Sequence, residues 1–444
     1  MRCQKSSHRV TSERETLAGL IRALAQPPAI AAQPDQFSRR ENKAGILDYR
    51  PQNPPPIFIY HTVYARLLAA VNNHDPQLPV DPEELDIAAD FIARGRVYGS
   101  EEPSALSDVL EEELLCTYHS TPVEAPNGFK PVSVFIRVKP EDDSTDPTAY
   151  AECTYIDTYT SLEATDVRKA CCCPALLVAC TGTSIQVLGA AFADHIIVQP
   201  LVDLSLFPLP GADDVIYRVA RLFRALRTAR GELEKYYADV VSSVASCIPA
   251  PALISPHWTE FVHPEHGLVV LQYTGRLGVE HYPSRAVFTA IATMAGAPPV
   301  DVVVKFAPQY SKQAHELLAP EFAPRLWHCA EVESVGMWAV VMDFVPGEEL
   351  DEGEVLTPAQ GDALRCAVGR LHAQGLVFGD LRDANVLTVG DGVRLIDFDW
   401  CGVVGEARYP ADLHMGHAWP MDVRRGGLIQ KTHDLYWVEQ LTDS

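Results

Sequence analysis

Asp380, Asn385 and Asp397 share one stretch, Gly375-LVFGDLRDANVLTVGDGVRLIDFDW-Cys401, and each of the two acids follows an apolar, strand-like run. Carboxylates ordinarily sit in water, so a pair at the ends of buried strands calls for a use. Asp380 and Asn385 are five residues apart, with Arg382 between them. After Asn385, NVLTV and VRLI flank a GDG turn in which Asp391-Gly392 offers the positive φ that tight hairpins favour. Such a hairpin returns Asp397 beside Asn385, where one divalent cation can reach both, and leaves Asp380 on the preceding loop to orient a hydroxyl. That equipment suits phosphoryl transfer, which asks a protein for positioning and charge rather than covalent chemistry. Cap and turn roles would explain any one of the three residues. They do not explain all three following a lysine-bearing strand.

That lysine is Lys305, at the end of VVVKF, where a cation can steady nucleotide phosphates; an edge-strand lysine is the competing explanation. QAHELLAPEFAPRLW then opens with a short helix from which Glu316 or His315 can face Lys305. Glu316 is the natural ion-pair partner, but Pro320 follows it at the inward-facing spacing, whereas Leu318 and Ala319 follow His315. The pairing stays open between them. WAVVMDFVPGEEL predicts a buried strand entering an acidic, Gly-containing corner, with Met342 on the purine side and the Asp343–Val345 backbone facing an adenine edge. In YTGRLGVEHYPSRAVFTA, Gly275 and Gly278 are the candidates for a loop covering the nucleotide. TPAQGDALRCAVGRLHAQGL predicts the amphipathic helix that delivers Asp380.

With these residues in order, the chain resembles the protein kinase superfamily over residues 261 to about 437. LHAQGLVFGDLRDANVL is similar to the helix and catalytic loop written H-R-D-x-x-x-x-N, LIDFDW to the metal-binding D-F-G, VVVK to the strand-three lysine and VVMDFVPG to the hinge. FGDLR, LIDFDWCG, GEARYP and HDLYWVEQL resemble more closely the fungal-type protein kinases, in which an N-terminal region precedes the kinase-like domain. The resemblance implies ATP and Mg²⁺ as cofactors, Asp380 as catalytic base, Asn385 and Asp397 as metal ligands, Lys305 on the ATP phosphates and Arg382 on the transferred phosphate. It implies a protein substrate phosphorylated on Ser or Thr. Two alternatives stand beside it: a small-molecule phosphotransferase like the aminoglycoside and choline kinases, and a non-catalytic ATP-binding interaction module. Phe378-Gly379 stand where His-Arg is usual, so Gly379 cannot grip a phosphorylated activation loop. Asp399 replaces the last D-F-G residue as a possible second ligand behind Asp397. Only residues 402–444 follow Cys401, with no A-P-E segment, which points to a short C-lobe and little peptide-docking surface.

Bulk properties bound the rest. A chain of 444 residues predicts two domains, and 47% apolar with 21% charged residues predicts globular folding. The net charge of −23 argues against nucleic-acid binding over the whole surface, leaving a local basic site open. Eleven cysteines without paired C-x-x-C motifs read as reduced thiols of an intracellular protein, cytoplasmic or nuclear. No apolar run reaches the ~18–20 residues of a membrane span, and the N-terminus lacks a signal-peptide core.

The expected class is α+β: a disordered arm at 1–56, an α/β domain at 57–246, a linker at 247–260, and a two-lobed kinase-like domain at 261–444. VSVFIRVK, PALLVACTG, SIQVLGAAFAD and HIIVQPL predict four strands before a long helix from about 214 to 237. That core resembles a restriction-endonuclease-like fold. Arg137-Val138-Lys139 lacks the acid a nuclease needs there, which implies a binding or scaffold module. On the helix, Arg218, Arg221, Arg224, Arg227 and Arg230 form a basic stripe, read as a solvated face with acidic neighbours rather than a phosphate site.

Overall fold

The computed structural model describes residues 2–38, 45–50, 52–72, 80–96, 106, 108–110, 123–139, 145–207, 214–245, 255–279, 282–351 and 353–442. It combines helix and sheet in two compact units, Met1–Trp258 with Gly278–Arg285, and Thr259–Leu277 with Ala286–Ser444.

The first unit contradicts the disordered arm. Arg2–Leu24 is a helix, α1, and Ile46–Leu47, β1, pairs in parallel with Ile196 and Ile197. The arm reads as polar because one of its buried anchors is an arginine. Arg14 is 2% exposed, and its guanidinium donates to the carbonyls of Arg168, Cys171 and Phe192. Beside it Glu15 receives two hydrogen bonds from buried Arg168, at 2.8 and 2.7 Å. Helices α2 (Thr62–Asn72) and α3 (Pro82–Arg96) follow, then β2 (Val134–Val138), α4 (Pro147–Thr160), α5 (Thr165–Ala170), β3 (Ala175–Cys180), β4 (Ser184–Phe192), β5 (Ile196–Ser205) and the long helix α6 (Val215–Ala245).

The four predicted strands form, and β1 makes a fifth, in the order β1-β5-β4-β3-β2. Helix α4 escapes periodicity because it buries tyrosines rather than an aliphatic stripe: Tyr155 and Tyr159 are fully buried. Its start was nonetheless written in Asp146-Pro147, where Asp146 caps Thr148 and Ala149 and proline takes the first turn. Three of the five arginines in the α6 stripe meet acids. Arg224 and Arg227 converge on Glu84 of α3, and Arg230 pairs with Glu234 at 2.6 Å. Arg137, at the strand end where a nuclease would carry its acid, lies 3.9 Å above the Tyr150 ring. Residues 247–254 of the expected linker lie outside the described residues.

The second unit begins with strands β6 (Glu260–His263), β7 (Gly267–Arg276), β8 (Val287–Met294) and β9 (Val300–Ala307). Helix α7 (Lys312–Leu318) leads to β10 (Leu326–Val332) and β11 (Met337–Asp343). The six strands make one antiparallel sheet, β10-β11-β9-β8-β7-β6. Along β7, Val269, Leu271 and Tyr273 are buried and the residues between them exposed, the alternation of a sheet with one wet face. β9 lies inside the sheet, so Lys305, paired across to Val287 and Val340, is only 8% exposed.

Below this sheet come β12 (Glu348–Glu349), helix α8 (Pro358–Ala373), β13 (Leu376–Val377), β14 (Val386–Val389), β15 (Gly392–Leu395), β16 (Gly402–Val403) and helix α9 (Lys431–Thr442). A capping box between Thr357 and Gln360, with Pro358 in the first turn, starts α8. Its Leu364, Ala367, Val368 and Leu371 enter a core shared with Leu318, Met342, Phe378, Leu395, Phe398 and Val438. That core ties the lysine strand, the loop and the hairpin to one frame.

Candidate active site

The hairpin forms with Val386 opposite Leu395 and Val389 opposite Gly392. Its two-residue loop is therefore Gly390-Asp391. The left-handed position is Gly390 (φ +56°), not the predicted Asp391-Gly392, because Gly392 already belongs to β15. Ile396 N–H donates to the Asn385 carbonyl at 3.0 Å, which sets Asp397 beside Asn385. Asp397 itself takes φ +69°, uncommon for a residue with a Cβ.

Lys305 meets that aspartate. Its Nζ donates to Asp397 Oδ1 at 2.6 Å and lies 2.7 Å from Asp399 Oδ1, the latter a charge contact rather than an aligned hydrogen bond. Burial works against the ammonium, but the two carboxylates outweigh it and raise its pKa. Burial also lifts Asp399 to about 7; Lys305 opposes this and Asp397 adds to it. Neither predicted partner pairs with the lysine. Glu316 is on the exposed side of α7, 3.7 Å from Lys312. His315 is fully buried, its Nε2 2.7 Å from the Pro324 carbonyl and its Nδ1 2.6 Å from the Tyr310 hydroxyl. A carbonyl can only accept, so Nε2 carries the proton and Nδ1 accepts from the tyrosine. Burial lowers the His315 pKa to about 4, so the ring is neutral and serves as packing. It stacks on Phe398 at 4.5 Å, and Phe398 meets Phe378 edge-on at 5.3 Å.

Asp380 is held from two sides. Arg382 Nε donates to its Oδ1 at 2.6 Å and Nη2 to its Oδ2 at 2.9 Å, while Asn385 Nδ2 reaches Oδ2 at 2.9 Å. Arg382 turns onto Asp380, whereas the family resemblance implies a ligand for the transferred phosphate. Its remaining nitrogen, Nη1, lies 3.0 Å from His417 Nε2, and the guanidinium sits 5.7 Å from the centre of the Trp419 ring. Burial disfavours its charge, but Asp380 more than compensates and its pKa rises.

The residue that sequence reasoning missed is Asp434, in the first turn of α9 and 1% exposed. Its Oδ2 accepts from Phe378 N–H and lies 2.9 Å from His372 Nε2, while its Oδ1 accepts from Gly379 N–H. This carboxylate fixes the backbone just before Asp380. Nothing local in HDLYWVEQL says what this acid faces.

The backbone at position 379 calls for glycine. It adopts φ +86°, and a Cβ there would stand 2.8 Å from Ile429 Cδ1. Gly379→Ala is expected to lose about 1–3 kcal/mol of stability; a chemical-denaturation midpoint equal to wild type would show that the loop does not need the left-handed turn.

The nucleotide-facing predictions fare unevenly. Met342 is buried in the core. Asp343 N–H donates to the Arg325 carbonyl and Phe344 N–H to that of Asp301, while the Val345 carbonyl accepts from Gly347. Two donors expected to face an adenine edge are thus already committed. Gly275 lies within β7 at a register shift, and Gly278, at φ +69°, follows the end of that strand.

The donors around Asp397 are hard oxygens. Asn385 spends its amide nitrogen on Asp380, which leaves its carbonyl oxygen for a cation, and Asp397 and Asp399 supply carboxylates. No group of three or more His, Cys, Asp or Glu side chains gathers to hold a metal among the described residues. One or two carboxylates shared with substrate phosphates are what Mg²⁺ typically uses, so the set fits an ion bound together with a nucleotide, not an all-protein cage.

No family model and no curated protein matches the sequence. Among solved structures, one similar chain is the kinase PK-1 of the Cydia pomonella granulovirus, at 18% identity and a TM-score of 0.27, over 35% of this chain and 65% of that one. The chain thus spans less than two thirds of the viral kinase, and at this TM-score the likeness carries no argument. No helix among the described residues is long and apolar enough to cross a membrane.

Proposed function

We propose that the second unit is an ATP- and Mg²⁺-dependent protein kinase that transfers the γ-phosphate to a Ser or Thr hydroxyl. The observation that carries this reading is that Lys305 meets Asp397 and Asp399 while Asn385 holds Asp380, the two groups being joined where Ile396 N–H donates to the Asn385 carbonyl. Lys305 steadies the nucleotide phosphates, released from the carboxylates it contacts. Asn385, Asp397 and Asp399 are the residues that would hold magnesium, which supplies charge neutralisation on the phosphates when bound.

Asp380 orients the acceptor hydroxyl. Each carboxylate oxygen offers about two acceptor directions, and Oδ1 spends one on Arg382, so one remains for the hydroxyl. As the acceptor oxygen bonds to the γ-phosphorus, the bond from that phosphorus to the β-phosphate oxygen breaks, ADP leaves, and the hydroxyl proton passes to Asp380. Arg382 keeps that carboxylate in place throughout.

The test is transfer of labelled phosphate from ATP to Ser and Thr peptides and, in parallel, to small alcohols and amino alcohols. Labelled peptide is the expected product. Label on the small alcohols alone would replace the reading with a small-molecule phosphotransferase, and ATP binding with no transfer would leave a nucleotide-binding module.

A further inference from the structure

Residues 407–429 form a strap whose two ends are pinned together. Ile429 N–H donates to the Ala407 carbonyl at 2.8 Å and Tyr409 N–H to that of Gly427 at 2.9 Å. The strap touches the catalytic loop twice: Ile429 packs against Gly379, and His417 meets Arg382. In a chain of net charge −23, this strap carries Arg408, Arg424 and Arg425 against Asp412 and Asp422. All three arginines are exposed.

Those arginines differ from the ones on α6. Arg408 Nη1 donates to the Gly426 carbonyl and Arg425 Nε to that of Leu413, and Arg424 closes the turn through its own carbonyl to Gly427 N–H. Among the described residues none of the three guanidiniums is paired with a carboxylate. Asp422, two residues before Arg424, lies 3.2 Å from His433 Nε2, and that contact together with the Arg424 charge lowers its pKa; Glu406 stands two residues before Arg408. The backbone contacts hold Arg408 against the Arg424–Gly427 turn, so the positive charge is gathered rather than scattered. From Arg425 to Ile429 the chain can reach at most about 14 Å, and Ile429 abuts Gly379, next to Asp380. An extended peptide with its hydroxyl at Asp380 brings a side chain about three to five residues away within reach of this turn. Trp419, also in the strap, lies beside Arg382.

We infer that the Arg408/Arg424/Arg425 turn docks an acidic acceptor peptide, reading Asp or Glu side chains a few residues from the phosphorylated hydroxyl. The inference rests on the proposed kinase reading for its hydroxyl, but the docking itself can be measured without transfer. Unpaired guanidiniums on an acidic protein are complementary to carboxylates, and complementary charge sets partner choice.

Three fluorescent peptides with the same central Ser, flanked by Glu, Ala or Lys, are compared with the full-length chain, by anisotropy without ATP and by phosphate transfer with it. The acidic peptide is expected to bind about tenfold more tightly than the neutral one. Arg424→Glu is expected to abolish that preference, with Arg424→Gln intermediate. The exposed Arg424 side chain makes no hydrogen bond, so both variants should keep the wild-type melting temperature. Preferential binding that is lost in Arg424→Glu, with no peptide phosphorylated, would uphold the docking surface and sink the kinase reading. Equal binding of acidic and neutral peptides, or equal binding of the acidic peptide by wild type and Arg424→Glu, overturns the inference.

Discussion

Asp380→Asn is expected to slow phosphoryl transfer by about 10²–10⁴-fold, the usual worth of a positioned general base. ATP affinity should stay near wild type, because Lys305 and Asp397 contact each other independently of the Asp380 side chain. The amide keeps the shape of the carboxylate but not its charge, and it turns a donor toward Arg382 or Asn385, which already donate there. A loss of about 1–2 kcal/mol in stability should accompany the change. Rates are therefore best compared well below the melting temperature and at saturating ATP. Transfer within threefold of wild type would remove Asp380 from the chemistry.

Asp434→Ala is expected to have the largest effect on stability, about 3–5 kcal/mol. It strips the acceptor from two buried backbone N–H groups, of Phe378 and Gly379, and removes the partner of His372. Asp434→Asn retains one acceptor oxygen and should fall between alanine and wild type. The loop before Asp380 should loosen in both, so hydrogen exchange across residues 376–385 should quicken more than exchange along β7 and β8. Unchanged exchange in that loop, at any stability, would show that Asp434 does not organise it.

The reach of the sequence follows from what each feature depends on. The four strands of the first unit, the helix before the loop and the Asn385–Asp397 hairpin were all legible, since each rests on local period and turn chemistry. Partner choice was not. Whether Lys305 meets Glu316, His315 or an aspartate 92 residues away depends on which face of α7 is buried, and His315 is the one buried, against Phe398. The positive φ fell on Gly390 rather than Asp391-Gly392 because hairpin register is set by pairing along both strands, which a three-residue turn does not reveal. Asp434 was invisible for a related reason: its ligands are backbone N–H groups, and any residues could have supplied them. The polar N-terminal arm misled in the opposite direction. Its Leu17, Ala18 and Ile21 pack into the core of the first unit, and Arg14 and Glu15 anchor it further with hydrogen bonds and charge.

That anchoring bears on how the protein is handled. Trimming it to begin after residue 56 removes Glu15 from Arg168, a cation only 1% exposed, and strips β1 from β5. One amputation thus leaves Arg168 without its carboxylate, held only by Tyr159, Ser161 and Thr165, and a bare strand edge, the sort of edge that recruits neighbouring chains. Insolubility of such a shortened protein would reflect the cut, not an intrinsic weakness of the remaining fold.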